Sequence, residues 1–138
     1  RASNIPVLIC SEKFKEPQSY MVAFDGSKTA INAIHVLAKS NLLKGLQGHI
    51  VMVGHHNEAS KKSLSDAAAY LKAAGFSIDT HQLSELDAVE GLLSFQFKNN
   101  IDIIVVGAYG RSKLQHLFLG STTTEIIAST LSPVILVR

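Results

Sequence analysis

Cysteine is nearly missing: Cys10 is the single one in 138 residues. An internal disulfide is therefore excluded, and a reducing compartment such as the cytoplasm is the expectation. No segment reads as a secretory signal, and no apolar run is long enough to cross a bilayer, so no membrane partner is expected. Lysine and arginine form no run, and a net charge of +2 is too small to argue for nucleic acid. Charged residues are 17% against 46% hydrophobic ones, which excludes disorder and leaves one domain with a sizeable core. Two phosphate-binding signatures are also missing. No G-x-x-x-x-G-K-[ST] occurs, so no lysine is set to stabilise a transferring γ-phosphate. No G-x-G-x-x-G follows the first strand of the domain.

What is present is alternation. Residues 20–24 form a continuous apolar run, as in a strand covered on both faces. Asp25-Gly26-Ser27 turns into a helix expected over residues 28–43, with Ala30, Ala33, Ile34, Leu37 and Ala38 on one stripe and Gly45 beyond its end. Residues 50–53 are a second buried strand. Leu64, Ala67, Ala68 and Leu71 mark a second helix closed by Gly75. Residues 76–83 alternate apolar with polar, which argues for an edge strand. Val89, Leu92, Leu93 and Phe97 stripe a third helix, residues 101–106 are a fourth strand, and residues 134–137 a fifth. A last helix follows Gly120, with Ile126, Ile127, Thr130 and Leu131 inward.

Such alternation calls for an α/β fold, a doubly wound parallel sheet with helices on both faces. With the third strand at the edge, the natural five-stranded order is 3-2-1-4-5. Strands one and four are then neighbours whose connections leave on opposite faces, the switch point at which such sheets bind ligands. Asp25 follows strand one and Gly107 follows strand four, so both loops meet at one crevice. Beyond it run Gly107, Gly110, then Gly120-Ser121-Thr122-Thr123 at a helix start. Free amides at a helix N-terminus suit a phosphate, and glycines let the backbone approach a ligand. The plainer alternative stands beside this reading: Thr122 and Glu125 form a T-x-x-E capping box, and Asp25 or Ser27 can simply cap the first helix.

Gly107-Ala108-Tyr109-Gly110, nine residues, then Gly120-Ser121 resembles the G-x2-G-x9-G-[ST] motif of ATP-binding universal stress proteins. Residues 22–27 (VAFDGS) resemble the first strand and Asp turn of that family, and residues 131–137 (LSPVILV) its closing strand. The likeness covers residues 19–138 in order. It implies an adenine nucleotide alpha-hydrolase-like fold and ATP as ligand, or ADP or AMP, with Mg2+ or Mn2+ on the phosphates. It implies that Asp25 meets the adenosine end and that Ala23 and Val53 line the adenine pocket. Gly107 and Gly110 would admit ribose and phosphates, with Arg111 nearby. Gly120, Ser121, Thr122 and Thr123 would donate to the phosphates. It further implies a homodimer, or tandem domains imitating one, joined through the last strand. The expected role is a nucleotide-responsive regulatory module in stress response. No residue reads as a general base, so at most slow ATP hydrolysis is expected. The alternative is a protein–protein interaction module of the same fold; receiver-domain and flavodoxin-like readings lack their carboxylates and phosphate cradle.

Residues 1–18 read as foreign to this domain. ASNIPVLIC at 2–10 parallels ASTLSPVILV at 128–137, which suggests the terminal strand and linker of a preceding copy; chance likeness is the alternative. Residues 6–10 would then pair with the edge at 134–137, in this chain or a partner. Cys10 reads as a small apolar residue of that strand. The six histidines show no metal-ligand spacing, and adjacent His55 and His56 point to opposite sides of an extended chain.

Overall fold

The computed structural model describes residues 7–10, 15–54, 57–107 and 132–137. In chain order the elements are β1 (Val7–Ile9), β2 (Ser19–Ala23), α1 (Lys28–Lys39), β3 (Gln47–Val53), α2 (Glu58–Ala73), β4 (Ser77–Leu83), α3 (Ala88–Asn99), β5 (Ile103–Gly107) and β6 (Val134–Val137). They build one sheet of order β1-β6-β5-β2-β3-β4. From β6 to β4 every pairing is parallel, and these five strands lie in the expected 3-2-1-4-5 order. The sheet nevertheless has six strands, not five. β1 adds antiparallel to β6, with Val7 opposite Leu136 and Ile9 opposite Val134, because an uncovered parallel edge still offers its backbone donors and acceptors.

Side-chain alternation splits the core in two. Tyr20, Val22, Ile50, Met52 and Ile78 point to one face and pack with α1 and α2. Met21, Val51 and Ile104 point to the other and pack with Val89, Leu92 and Phe95 of α3. Each described helix starts on an N-cap that accepts amides of its own first turn: Ser27 for α1, Asn57 for α2 and Asp87 for α3. α3 ends on Asn100 in the left-handed region, at φ 51°.

Three expectations need correction. α1 stops at Lys39, with Ser40 as C-cap; Leu43 is buried from the following turn, which copies helical spacing without helical backbone. On α3 the inward stripe passes through Phe95, while Phe97 is 85% exposed. Cys10 lies past the end of β1 and is exposed.

The segment entering β2 is tied down by Asp102, which precedes β5. Its carboxylate accepts the amides of Gln18 at 2.8 Å and Ser19 at 3.2 Å and the Lys15 ammonium at 3.0 Å. Burial disfavours its charge, but these donors together outweigh that and hold the carboxyl below its usual value. On the α3 face, His49 Nδ1 lies 3.0 Å from His81 Nε2, and both rings pack against Phe95. Burial lowers both histidine pKa values; His81 lowers that of His49 further, and Asp79 partly offsets the effect on each. The unfolded chain takes up protons on these rings near pH 6.5, and the folded one only at lower pH. Their contribution is thus complete above that value and is lost as pH falls through the folded pKa values. The melting temperature is expected to drop on acidification from about pH 8 to about pH 5, and His81→Gln should flatten the profile. A profile of unchanged slope in H81Q would remove this pair from the account.

Candidate functional site

The carboxyl ends of β2, β3 and β5 form the rim at which the crevice is expected. Ala23, the last residue of β2, pairs with Val51 on one side and Val106 on the other. Connections leave β2 and β3 toward the α1/α2 face, while α3 covers the opposite face. Ala23, Val53 and Val106 are half-buried and pack on the edge of the α3-side cluster. They form an apolar floor that is neither sealed nor fully wet. α3 comes down onto this floor at Gly91, where an added Cβ would lie 3.1 Å from both γ-methyls of Val53. Gly91 carries no signal in the sequence beyond a glycine inside a helical pattern, which reads as a packing exception.

The turn after β2 is built from its own side chains. Phe24 is buried, and its amide still bonds the Val51 carbonyl at 2.9 Å. Asp25 Oδ1 accepts the amide of Ser27 at 2.9 Å, and Ser27 Oγ accepts the amide of Ala30 at 3.2 Å. The capping alternative is therefore realised by Ser27. Asp25 itself is exposed, and one oxygen closes its turn; its other oxygen has no partner among the described residues. A carboxylate there attracts hydroxyl or amino donors and repels phosphate, so it suits the sugar end of a nucleotide.

Gly107 closes β5 opposite Val137 of β6. It belongs to the strand, not to the loop, and it abuts the first turn of α1. A Cβ on it would lie 2.8 Å from the carbonyl oxygen of Thr29 and 3.2 Å from the amide nitrogen of Ala30. The hydroxyl of Thr29 is buried and has no hydrogen-bond partner among the described residues. Sequence reasoning passes over Thr29, which looks like one more position of a helix's first turn. Ala23, Val53 and Gly107 are the last residues of β2, β3 and β5, and Asp25 lies in the turn just beyond β2. Gly110, Arg111, Gly120, Ser121, Thr122 and Thr123 lie outside the described residues, as do His55 and His56. Among the described residues no group of three or more His, Cys, Asp or Glu side chains is close enough to hold a metal ion, and no helix is long and apolar enough to cross a membrane.

A doubly wound sheet with this rim defines an α/β protein of the switch-point class. The universal stress protein family model matches residues 28–138, and the chain belongs to that family. It is similar to universal stress protein Slr1230 of Synechocystis sp., with 34% identity over 135 residues, 96% of this chain and 47% of that protein. It is also similar to universal stress protein A homolog 2 of Coxiella burnetii, 27% identical over 83% of this chain and 75% of that one. The chain thus spans about half the length of the first of these relatives. Among solved structures, a universal stress protein of Archaeoglobus fulgidus superposes with a TM-score of 0.74 at 24% identity, over 99% of this chain and 50% of that one. A universal stress protein in complex with cAMP gives 0.73 at 22%, over 90% and 98%. One from Archaeoglobus fulgidus in complex with dAMP gives 0.66 at 20%, over 88% and 98%.

Proposed function

We propose that the crevice at the ends of β2, β3 and β5 binds an adenine nucleotide, with ATP as the ligand the glycine motif fits. Its occupancy would make the chain a nucleotide-responsive regulatory module in stress response. The observation that supports this is a shared rim: the Asp25 turn leads into the first turn of α1, which abuts Gly107 on one face of the sheet, and Ala23, Val53 and Val106 are half-buried on the α3 face at the same strand ends. The residues fit the group in chemistry. Ala23 and Val53 take the flat apolar face of a purine, and Asp25 takes a donor of the adenosine end. Gly107, Gly110, Arg111, Gly120, Ser121, Thr122 and Thr123 are assigned to ribose and phosphates by the family's motif alone. A divalent cation, Mg2+ or Mn2+, would accompany the phosphates and neutralise their charge. Regulation without turnover is the expected mode, with hydrolysis slow at most. Residues 1–18 would come from a preceding domain of the same kind.

Calorimetry with ATP, ADP and AMP tests this. Asp25→Asn keeps Oδ1 for the Ser27 amide but removes the charge, so the fold should stand while affinity falls about tenfold, a typical loss for one charge-assisted hydrogen bond. Absence of heat with every nucleotide, with none released on denaturation, would instead favour the interaction-module reading. That reading has one observation in its favour: Gly107 and Ser27 already have structural roles.

A further inference from the structure

One edge of the sheet is covered, and the other carries no further strand among the described residues. β1 lies along β6, so pairing of β6 with a second chain would have to displace it. At the far side β4 pairs with β3 alone among the described residues, over a full seven-residue register. The amide of Gly54 donates to the Leu83 carbonyl at 2.8 Å, which turns the polar backbone of Leu83 toward β3. Alternation along the strand gives Asp79 and His81 the same sense and directs N–H and C=O of Ile78 and Thr80 outward. An open groove runs along this edge between α2 and β4, bounded by Lys61, Ser65, Ala69, Lys72 and Thr80.

We propose that two copies of this chain join antiparallel through their β4 edges, about a two-fold axis at Thr80. About its centre at Thr80, the strand Ser77-Ile78-Asp79-Thr80-His81-Gln82-Leu83 places Asp79 and His81 at symmetric positions on either side of the axis. In that register Ser77 faces the partner's Leu83, Asp79 faces the partner's His81, and Thr80 faces its own copy. Thr80, with outward backbone, takes a hydrogen-bonded position, which leaves Asp79 and the partner's His81 in the closer, non-hydrogen-bonded kind of pair. Each has a polar atom to give. Asp79 Oδ2 accepts from Gln47 and His81 Nε2 is engaged with His49, whereas Asp79 Oδ1 and His81 Nδ1 have no partner among the described residues. With its Nε2 accepting from His49, a neutral His81 ring presents Nδ1–H to the partner's Asp79 carboxylate, and this hydrogen bond and the Thr–Thr cross-strand pair are both favourable. Centring the axis on Asp79 instead would set two carboxylates against each other, and every other centre shortens the ladder. An acidic strand of another protein would suit Lys61 and Lys72 on one face but meet Asp79 on the other. A second copy satisfies Asp79 and His81 twice over.

Sedimentation equilibrium of the 138-residue chain tests the pairing. The chain should show twice its own mass at high concentration and dissociate on dilution. Thr80→Pro removes the outward donor without touching the β3 ladder, and Thr80→Lys sets two like charges at the axis. Each should weaken association by about tenfold or more while leaving the melting curve of the dilute chain in place. His81→Glu should also weaken it, because two carboxylates then face each other across the axis. Adding Asp79→Lys should restore it, because the cation introduced at position 79 then faces the anion introduced at position 81 of the other copy. A chain that stays at one mass throughout, a dimer indifferent to T80K, or a double variant no better than H81E would each overturn the proposal.

Discussion

Gly48→Ala is expected to lower the stability of the folded chain by about 3 kcal/mol, the upper part of the range for overpacking a core. Gly48 sits on β3 beside Tyr20 of β2. A methyl there would lie 2.5 Å from Cζ of Tyr20 and 2.6 Å from Cδ1 of Ile78. The isoleucine tip can rotate away. The tyrosine ring cannot, because it is fully buried between the sheet and the α1/α2 layer. Its hydroxyl is buried without a hydrogen-bond partner among the described residues, and burial pushes the phenol up to about 12. Tyr20→Phe alone is therefore expected to be neutral or to gain about 1 kcal/mol, since it removes an unpaired buried polar group. It should not rescue G48A, because the ring carbon remains; Tyr20→Leu should recover much of the loss. Urea midpoints of these variants, alone and combined with G48A, measure this, and a G48A cost below about 1 kcal/mol would mean the ring has room to move.

Gly48 also marks where the sequence stops being legible. Periodicity identifies the five parallel strands and their order, because apolar runs separated by amphipathic stripes leave few other arrangements. It also points residues 6–10 at the edge of β6, where β1 lies. Periodicity says little about which residue of a stripe is deepest. Phe95 and Phe97 are two apart on α3, and packing with the α3-side core and with His49 and His81 makes Phe95 the inward one. The histidine pair itself joins positions 32 apart in sequence and becomes visible only once β3 and β4 are in register. At the crevice, Asp25 and the strand ends are legible from topology, as a switch point follows from strand order. Thr29 and Gly91 are not, because their roles come from the closeness of another element's backbone or methyls and not from their own chemistry.

Gly107→Ala should cost about 2–3 kcal/mol without any nucleotide present. The sequence suggests a glycine spared a side chain so that a ligand can come near. The geometry adds a nearer neighbour: the new methyl would meet the Thr29 carbonyl oxygen at 2.8 Å, its carbon at 3.0 Å and the Ala30 nitrogen at 3.2 Å. These are backbone atoms in the first turn of a capped helix, so no rotamer change relieves the contact; α1 itself has to shift. Gly107 is not among the glycines at positive φ, so the demand is for space and not for an unusual backbone. Because the same turn carries Ser27 and follows Asp25, a shift of α1 would also disturb the crevice, and nucleotide affinity should fall along with stability. Chemical denaturation of the nucleotide-free chain separates the two roles. An unchanged midpoint with weakened nucleotide binding would assign the glycine to the ligand. A lowered midpoint in its absence would assign it first to the packing of α1 on β5, with ligand approach as a second use of the same missing side chain.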